Sequence, residues 1–349
     1  MNSLYTDESK ILVSAQASSR ARFAALGEVL MCLVAANAII VALRLAGLTP
    51  ELFGVTGDAQ IDARTGLVDG LFVILKFAAM LAIGLTILQK VHGVKPAAVG
   101  FSFSGHSLPS LLLRGLVLGS VATLPWLVLM SANSVFGFGE GVAGWQRIAD
   151  APLNADFILF ALAAMVLIPP IMEESAFRGY VRGRLQLAYG PVGAALLTAI
   201  VFVFAHGHLY GADAVLVGTQ ASFLFASFVL AFDTYRSGSI IPAVVAHALM
   251  NLPIDRDATG MFAALAIALV VIIAARRAIG DGYRQLGEDW KTTPRKGNLL
   301  IFALTAAVLM IATMLYLPAA VLLIVFSVAG TVLSLRRPRK NGPDQPVEH

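Results

Sequence analysis

Long apolar runs separated by short polar breaks dominate the chain, at about residues 27–46, 67–88, 108–131, 157–177, 192–210, 214–232, 239–253, 260–275, 299–316 and 319–335. A helix rises about 1.5 Å per residue and the hydrocarbon core is about 30 Å thick, so about 20 apolar residues make a span. None of the runs alternates with the two-residue period of a barrel strand, and in lipid only helices and closed barrels satisfy the backbone. The pattern therefore predicts an all-α polytopic transmembrane helix bundle of about 8–10 spans. The runs at 239–253 and 260–275 are short and the Gly211-Ala212-Asp213 break is brief, which leaves the count open.

Polar segments divide the chain around these runs. Residues 1–24 read as a cytoplasmic N-terminal segment, 25–277 as the membrane bundle, and 278–298 as a basic cytoplasmic loop able to hold an interfacial helix. A C-terminal transmembrane hairpin follows at 299–335 and a cytoplasmic tail at 336–349. The segments 48–66 and 132–156 read as outside loops. The hairpin carries no acid, base, His or Asn, so it reads as an anchor without chemistry. No repeat of fixed period stands out, which weighs against an inverted-repeat transporter.

Composition and charge agree with this picture. Hydrophobic residues make up 58% of the 349 and charged residues 13%, against about 25% charged in soluble domains. A mean hydropathy of +0.80 excludes a soluble enzyme. With the amino terminus inside, nineteen Lys and Arg fall on the cytoplasmic side and three, Arg64, Arg147 and Arg256, fall outside. The net charge of +4 is therefore a matter of membrane topology, and no nucleic-acid partner is expected. Arg20 and Arg22 flank the first run as in an uncleaved anchor. The Ala- and Gly-rich composition leans toward a bacterial cytoplasmic membrane. The single cysteine, Cys32, excludes an intramolecular disulfide, a four-Cys zinc site and an iron–sulfur cluster.

Chemistry is then sought among polar residues at membrane depth, where they are costly. Of the 21 acids, only Glu173 and Glu174 lie more than about a turn inside an apolar run. Glu174 and Arg178, four apart, share a helix face and can pair, whereas Glu173 points about 100° away. Both glutamates could instead be solvated at the inner end of the span beside Arg178, Arg182 and Arg184. Two further pairs have the same four-residue step, Phe202 with His206 and His247 with Asn251. A lone membrane histidine is commonly a packing residue, but His247 and Asn251 on one stripe resemble two donors aimed at an oxyanion.

A hairpin ties the first two pairs together. If the chain reverses at Tyr189-Gly190-Pro191, the midpoint between positions 173 and 206 falls in that turn, and Glu173 and His206 lie at equal depth on antiparallel helices. His208 is about 200° around from His206 and cannot face the same site. His206 is the preferred partner and His208 the alternative. Because the apolar runs alone put Glu173 near the inner end and His206 near the outer end, the hairpin tip with Arg178, Arg182 and Arg184 is expected to protrude into the cytosol.

In this order, Glu173-Glu174-x-x-x-Arg178, Phe202-x-x-x-His206 and His247-x-x-x-Asn251 resemble the motifs of the CPBP family, the type II CAAX prenyl endopeptidases and their bacteriocin-processing relatives. The stretch Phe228–His247 is also similar to the family's approach to its last motif, and the resemblance covers about 157–253. It implies intramembrane peptide hydrolysis by a glutamate, without a required metal, on a peptide or membrane-protein substrate in the lipid bilayer. The Gly207-His208 doublet and the extra terminal hairpin depart from the pattern.

On that resemblance, water between Glu173 and His206 loses a proton to the carboxylate and attacks the scissile carbonyl. A poorly solvated cavity makes a carboxylate a better base near neutral pH. His247 and Asn251 would donate to the oxyanion, while Glu174, Arg178 and Phe202 support the site. Zinc on Glu173, His206 and His247 is the competing mechanism, although no His-Glu-x-x-His is present. No serine sits in a Gly-x-Ser-x-Gly setting. Other functions for the same residues are a transporter with Lys76 and Arg114 as counter-charges, or a non-catalytic scaffold or immunity protein.

Overall fold

The computed structural model of the chain describes residues 18–49, 61–137, 139, 145–206, 214–253, 257–293, 325 and 327–333. Every regular element among them is helical, as the apolar runs predict. In chain order these are α1 (Ser19–Leu45), α2 (Ala63–Lys90), α3 (Leu108–Phe136), α4 (Trp145–Asp150), α5 (Ala155–Ala161) and α6 (Ile168–Glu174). There follow α7 (Arg182–Ala205), α8 (Ala214–Ser237), α9 (Ile241–Met250), α10 (Ala258–Ala274) and α11 (Arg276–Thr292). Short polar side chains start several of these helices by accepting a first-turn N–H that has no helical partner. Ser18 caps α1, Asp62 caps α2 through Thr65 N at 2.8 Å, Asn154 caps α5, and Asp257 caps α10 through Gly260 N at 2.7 Å.

Among the described residues, five helical stretches are long and apolar enough to cross a membrane, or six if the bent pair α10–α11 is one span. One of the five, Ala155–Ala205, has 51 residues, far more than a single crossing needs. Gly190 interrupts it at φ 72°, ψ 176°, a backbone region open almost only to glycine, and Pro191 follows. The expected reversal at Tyr189-Gly190-Pro191 is therefore present, and α7 bends there. α9 rises only about 15 Å over its ten residues, half a bilayer. Both runs of the expected terminal hairpin lie almost wholly outside the described residues. Within 327–333, Gly330 meets Gly27 of α1 so closely that a Cβ on Gly27 would stand 2.3 Å from the Gly330 Cα.

The hairpin tip corrects an expectation. Arg178, Arg182 and Arg184 do not protrude into solvent; all three are buried. α1 and the descending arm of the hairpin form an antiparallel ladder. Tyr189 Oη donates to the Arg22 carbonyl at 2.9 Å, Arg184 Nε pairs with Glu28 Oε1 at 2.9 Å, and Tyr180 Oη meets Cys32 Sγ at 3.1 Å. Arg182 is held by the Val99 carbonyl at 3.0 Å, by its own helix at Arg178 O, and by Gln186. Around this ladder an apolar core gathers Leu26, Val29, Met80, Phe177, Leu197 and Phe202. α1 also starts earlier than its apolar run, at Ser19, so Arg20 and Arg22 lie inside the helix.

Candidate active site

Two widened, π-helical turns, Leu162–Val166 and Ser175–Val181, flank α6. Pro169 and Pro170 occupy its first turn, where a missing N–H costs least. Such turns insert an extra residue and shift the facing of everything downstream, and they recur at functional sites. Here they bracket the glutamate pair.

Glu174 is fully buried. Its Oε1 faces His247 Nδ1 at 2.7 Å and its Oε2 faces Arg178 Nε at 2.9 Å. A carboxylate only accepts, so His247 Nδ1 carries the hydrogen and the ring's Nε2 points away from Glu174. Arg178 also donates through Nη2 to Ser227 Oγ on α8 at 3.1 Å, and its guanidinium lies 4.3 Å from the centre of the Phe202 ring. Phe202 stands edge to face with Phe177 at 5.0 Å and His247 at 6.0 Å, and 4.4 Å from the His206 ring. One aromatic side chain thus spaces both histidines and covers the arginine.

Glu173 and His206 meet across the hairpin, Glu173 Oε2 lying 3.6 Å from His206 Nε2. Along a straight helix the 33 residues between them would separate them by about 50 Å. Both side chains keep 14% exposure, unlike the sealed Glu174. His206 Nδ1 bonds to the Phe202 carbonyl at 2.7 Å, which places the hydrogen on Nδ1 and turns Nε2 toward Glu173. His247 and Lys76 add to the positive field on Glu173. Lys76 lies at the midpoint of α2, about 20 Å from either end of that helix.

The last motif is carried on α9, which closes on α3 at two glycines. A Cβ on Gly115 would stand 2.5 Å from Val245 Cβ, and one on Gly119 would stand 3.1 Å from Ala246 Cα. A side chain at either position would require α9 to shift against α3. Asn251, one residue past α9, donates from Nδ2 to the Met165 carbonyl at 2.9 Å, in the first widened turn. One of its two amide hydrogens is thereby engaged.

Glu173, Glu174, Arg178, Phe202, His206 and His247 are thus gathered by direct contacts around one region, while the side-chain contact of Asn251 is with the Met165 carbonyl. His208 lies outside the described residues. Two buried acids escaped the reading of the apolar runs. Glu28 has 0% exposure and pairs with Arg184 and with His92 Nε2 at 2.9 Å, and Asp233 receives Arg114 Nε and Nη2 at 2.7–3.0 Å. Both stand near the ends of their runs, where hydropathy alone reads a solvated flank. Arg114 is therefore committed to Asp233 and is no counter-charge for Glu173. Among the described residues no three His, Cys, Asp or Glu side chains converge with metal-ligand spacing.

Residues 154–253 match a protein-family model described as type II CAAX prenyl endopeptidase Rce1-like. The matched segment runs from α5 through α9 and contains all seven motif residues; α1, α2, α3 and α11 lie outside it. No curated protein and no solved structure matches the chain.

Proposed function

We propose that this chain is an intramembrane endopeptidase in which Glu173 activates water for attack on a peptide carbonyl. The carrying observation is the Glu173–His206 approach of 3.6 Å, with both side chains partly open, beside a Glu174 that is sealed between Arg178 and His247. A separation above 3.5 Å between two groups that both accept is suited to a bridging water. In the proposed reaction that water hydrogen-bonds His206 Nε2 and gives a proton to Glu173, and its oxygen attacks the scissile carbonyl. The proton on Glu173 then passes to the leaving amine. A proton on His247 Nε2 and the second amide hydrogen of Asn251 would stabilise the tetrahedral oxyanion. The similarity of 154–253 to the endopeptidase family supports hydrolysis as the reaction class. The reading includes a peptide or membrane-protein substrate, no metal cofactor, and a bacterial cytoplasmic membrane with both termini inside.

Glu173→Gln is nearly isosteric and removes the base. Comparison of membrane-fraction peptides from cells with wild-type and Glu173→Gln protein is expected to show an uncut peptide only in the variant, with equal membrane insertion. Unchanged cleavage would falsify the glutamate mechanism. Asn251→Ala is expected to lower kcat by roughly 10²–10³ if its amide serves the oxyanion. A chelator is expected to leave the rate unchanged; loss of activity restored by Zn²⁺ would transfer the role to the metal arrangement. Transport is the weaker reading because Arg114, one of its two candidate counter-charges, is bonded to Asp233.

A further inference from the structure

The proteolytic site makes no use of α11, which lies outside the family-matched segment. It leaves α10 at a 74° bend, so it lies across the bundle instead of continuing the span. By the distribution of basic residues it stands at the cytoplasmic surface. Two cavities of about 460 Å³ each adjoin it. One is a cup bounded by Arg276, Arg277, Arg284 and Asp281, and includes Gly280. The other is an apolar groove between α11 and the α7–α8 pair, bounded by Val192, Leu196, Phe228, Leu286 and Trp290, and includes Gly287.

At 100° per residue the cup and the groove fall on neighbouring faces of α11, and Gly280 and Gly287, seven apart, lie along the seam between them. Glycine is a poor choice inside a helix and calls for a reason. Gly282 has one, since a Cβ there would meet Arg236 Nη1 at 2.5 Å. At Gly280 and Gly287 a Cβ would meet nothing within 4 Å among the described residues, and neither has a positive φ. Packing inside the protein explains neither residue. A ligand lying along the helix would, because it needs the backbone bare at those two points.

The charge of the cup identifies that ligand. Three guanidinium groups face one carboxylate; Arg284 pairs with Asp281, and Arg276 Nη1 donates to the Ile273 carbonyl at 3.1 Å. The surplus is positive, and planar guanidinium forks suit phosphate oxygens. An apolar groove lies alongside, lined by Trp290 and the 77%-exposed Tyr283, the residue types that anchor helices at the membrane interface. We infer that α11 holds one anionic phospholipid of the cytoplasmic leaflet. Its phosphate lies on Arg276, Arg277 and Arg284, and one acyl chain crosses Gly280 and Gly287 into the groove beside Trp290. This assignment stands independently of the reaction proposed at Glu173.

The chain has three tryptophans, so the full-length Trp126→Phe, Trp145→Phe protein reports from Trp290 alone. Reconstituted into phosphatidylcholine vesicles, it is expected to be quenched severalfold more by chain-brominated phosphatidylglycerol than by brominated phosphatidylcholine at the same mole fraction. The triple change Arg276→Gln, Arg277→Gln, Arg284→Gln is expected to bring the two lipids level. Gly280→Leu with Gly287→Leu is expected to reduce the quenching while the thermal midpoint in detergent stays unchanged or rises. Equal quenching of the unaltered site by the two lipids, or a preference that survives the triple change, overturns the assignment. As a measurement on the wild-type chain, phosphatidylglycerol added to micelles is expected to raise the thermal midpoint where glycerol phosphate does not. An equal rise with glycerol phosphate would instead make the site a receptor for a soluble phosphate.

Discussion

Glu174 has both carboxylate oxygens committed, to His247 and Arg178, while its neighbour Glu173, about 100° around the helix, keeps 14% of its side chain exposed. Glu174→Gln leaves Arg178 buried without its counter-charge, a loss of about 3–5 kcal/mol by the behaviour of broken buried pairs. It also replaces the carboxylate that accepts from His247 Nδ1 by a neutral amide. Glu174→Gln is therefore expected to lower both the thermal midpoint in detergent and the cleavage rate, whereas Glu173→Gln lowers only the rate. Equal destabilisation by the two changes would remove this division of roles. The Glu174–Arg178 pairing was legible because it is local, four residues along one helix. The Glu174–His247 bond spans 73 residues and has no local pattern to announce it. Buried Glu28 went unseen because its run was bounded by hydropathy, while the helix begins at Ser19 and the hairpin arm covers that face.

At the scale of elements, the reversal at Gly190 brings two distant motifs to one depth. Its φ of 72° with ψ of 176° strains any residue with a Cβ, at about 1–3 kcal/mol for such outliers. Gly190→Ala is expected to destabilise by about that amount. It should also reduce cleavage by more than it reduces folding, because a small change in bend angle is magnified over the arms that carry Glu173 and His206. A variant with full cleavage and a lowered midpoint would show that the site tolerates the altered bend. The turn was readable from Tyr-Gly-Pro, but the widened turns around α6 were not, since nothing in the residue types there marks an inserted residue. The start of α2 offers a pH-dependent test outside the membrane. Hydrogen bonds from Thr65 hold the Asp62 carboxyl below its ordinary value of 3.8. A lowered folded value means that the cap contributes fully above that ordinary value and loses its contribution as pH falls through the lowered one. Amide protection at Arg64, Thr65 and Gly66 is thus expected to decline in strong acid, and Asp62→Asn to abolish the pH dependence; an unchanged acid response in that variant would assign the effect elsewhere.

For the whole molecule, the matched segment 154–253 holds the motif residues but not what holds them in place. Tyr180, Arg184 and Tyr189 find Cys32, Glu28 and Arg22 on α1, and Arg182 finds the Val99 carbonyl in the α2–α3 connection. Gly115 and Gly119 of α3 receive α9, and α2 delivers Lys76 into the field of Glu173. Apolar runs along the sequence announced these helices as spans, yet two things stayed hidden in them. A run such as 239–253 yields the half-length α9, and the partner of each buried charge was set by tertiary packing. Residues 154–253 expressed alone in the membrane would leave Arg184 without Glu28, an uncompensated charge in an interior that had been closed by α1. That fragment is expected to be inactive and protease-sensitive, and co-expression with 1–153 as a separate chain to restore cleavage in part. Glu28→Gln in the intact chain tests the same dependence more gently, with an expected loss of stability of about 3–5 kcal/mol if the pair is as buried as its 0% exposure indicates. Full activity of the isolated 154–253 segment would mean that α1, α2 and α3 serve only to place the site in the membrane and not to build it.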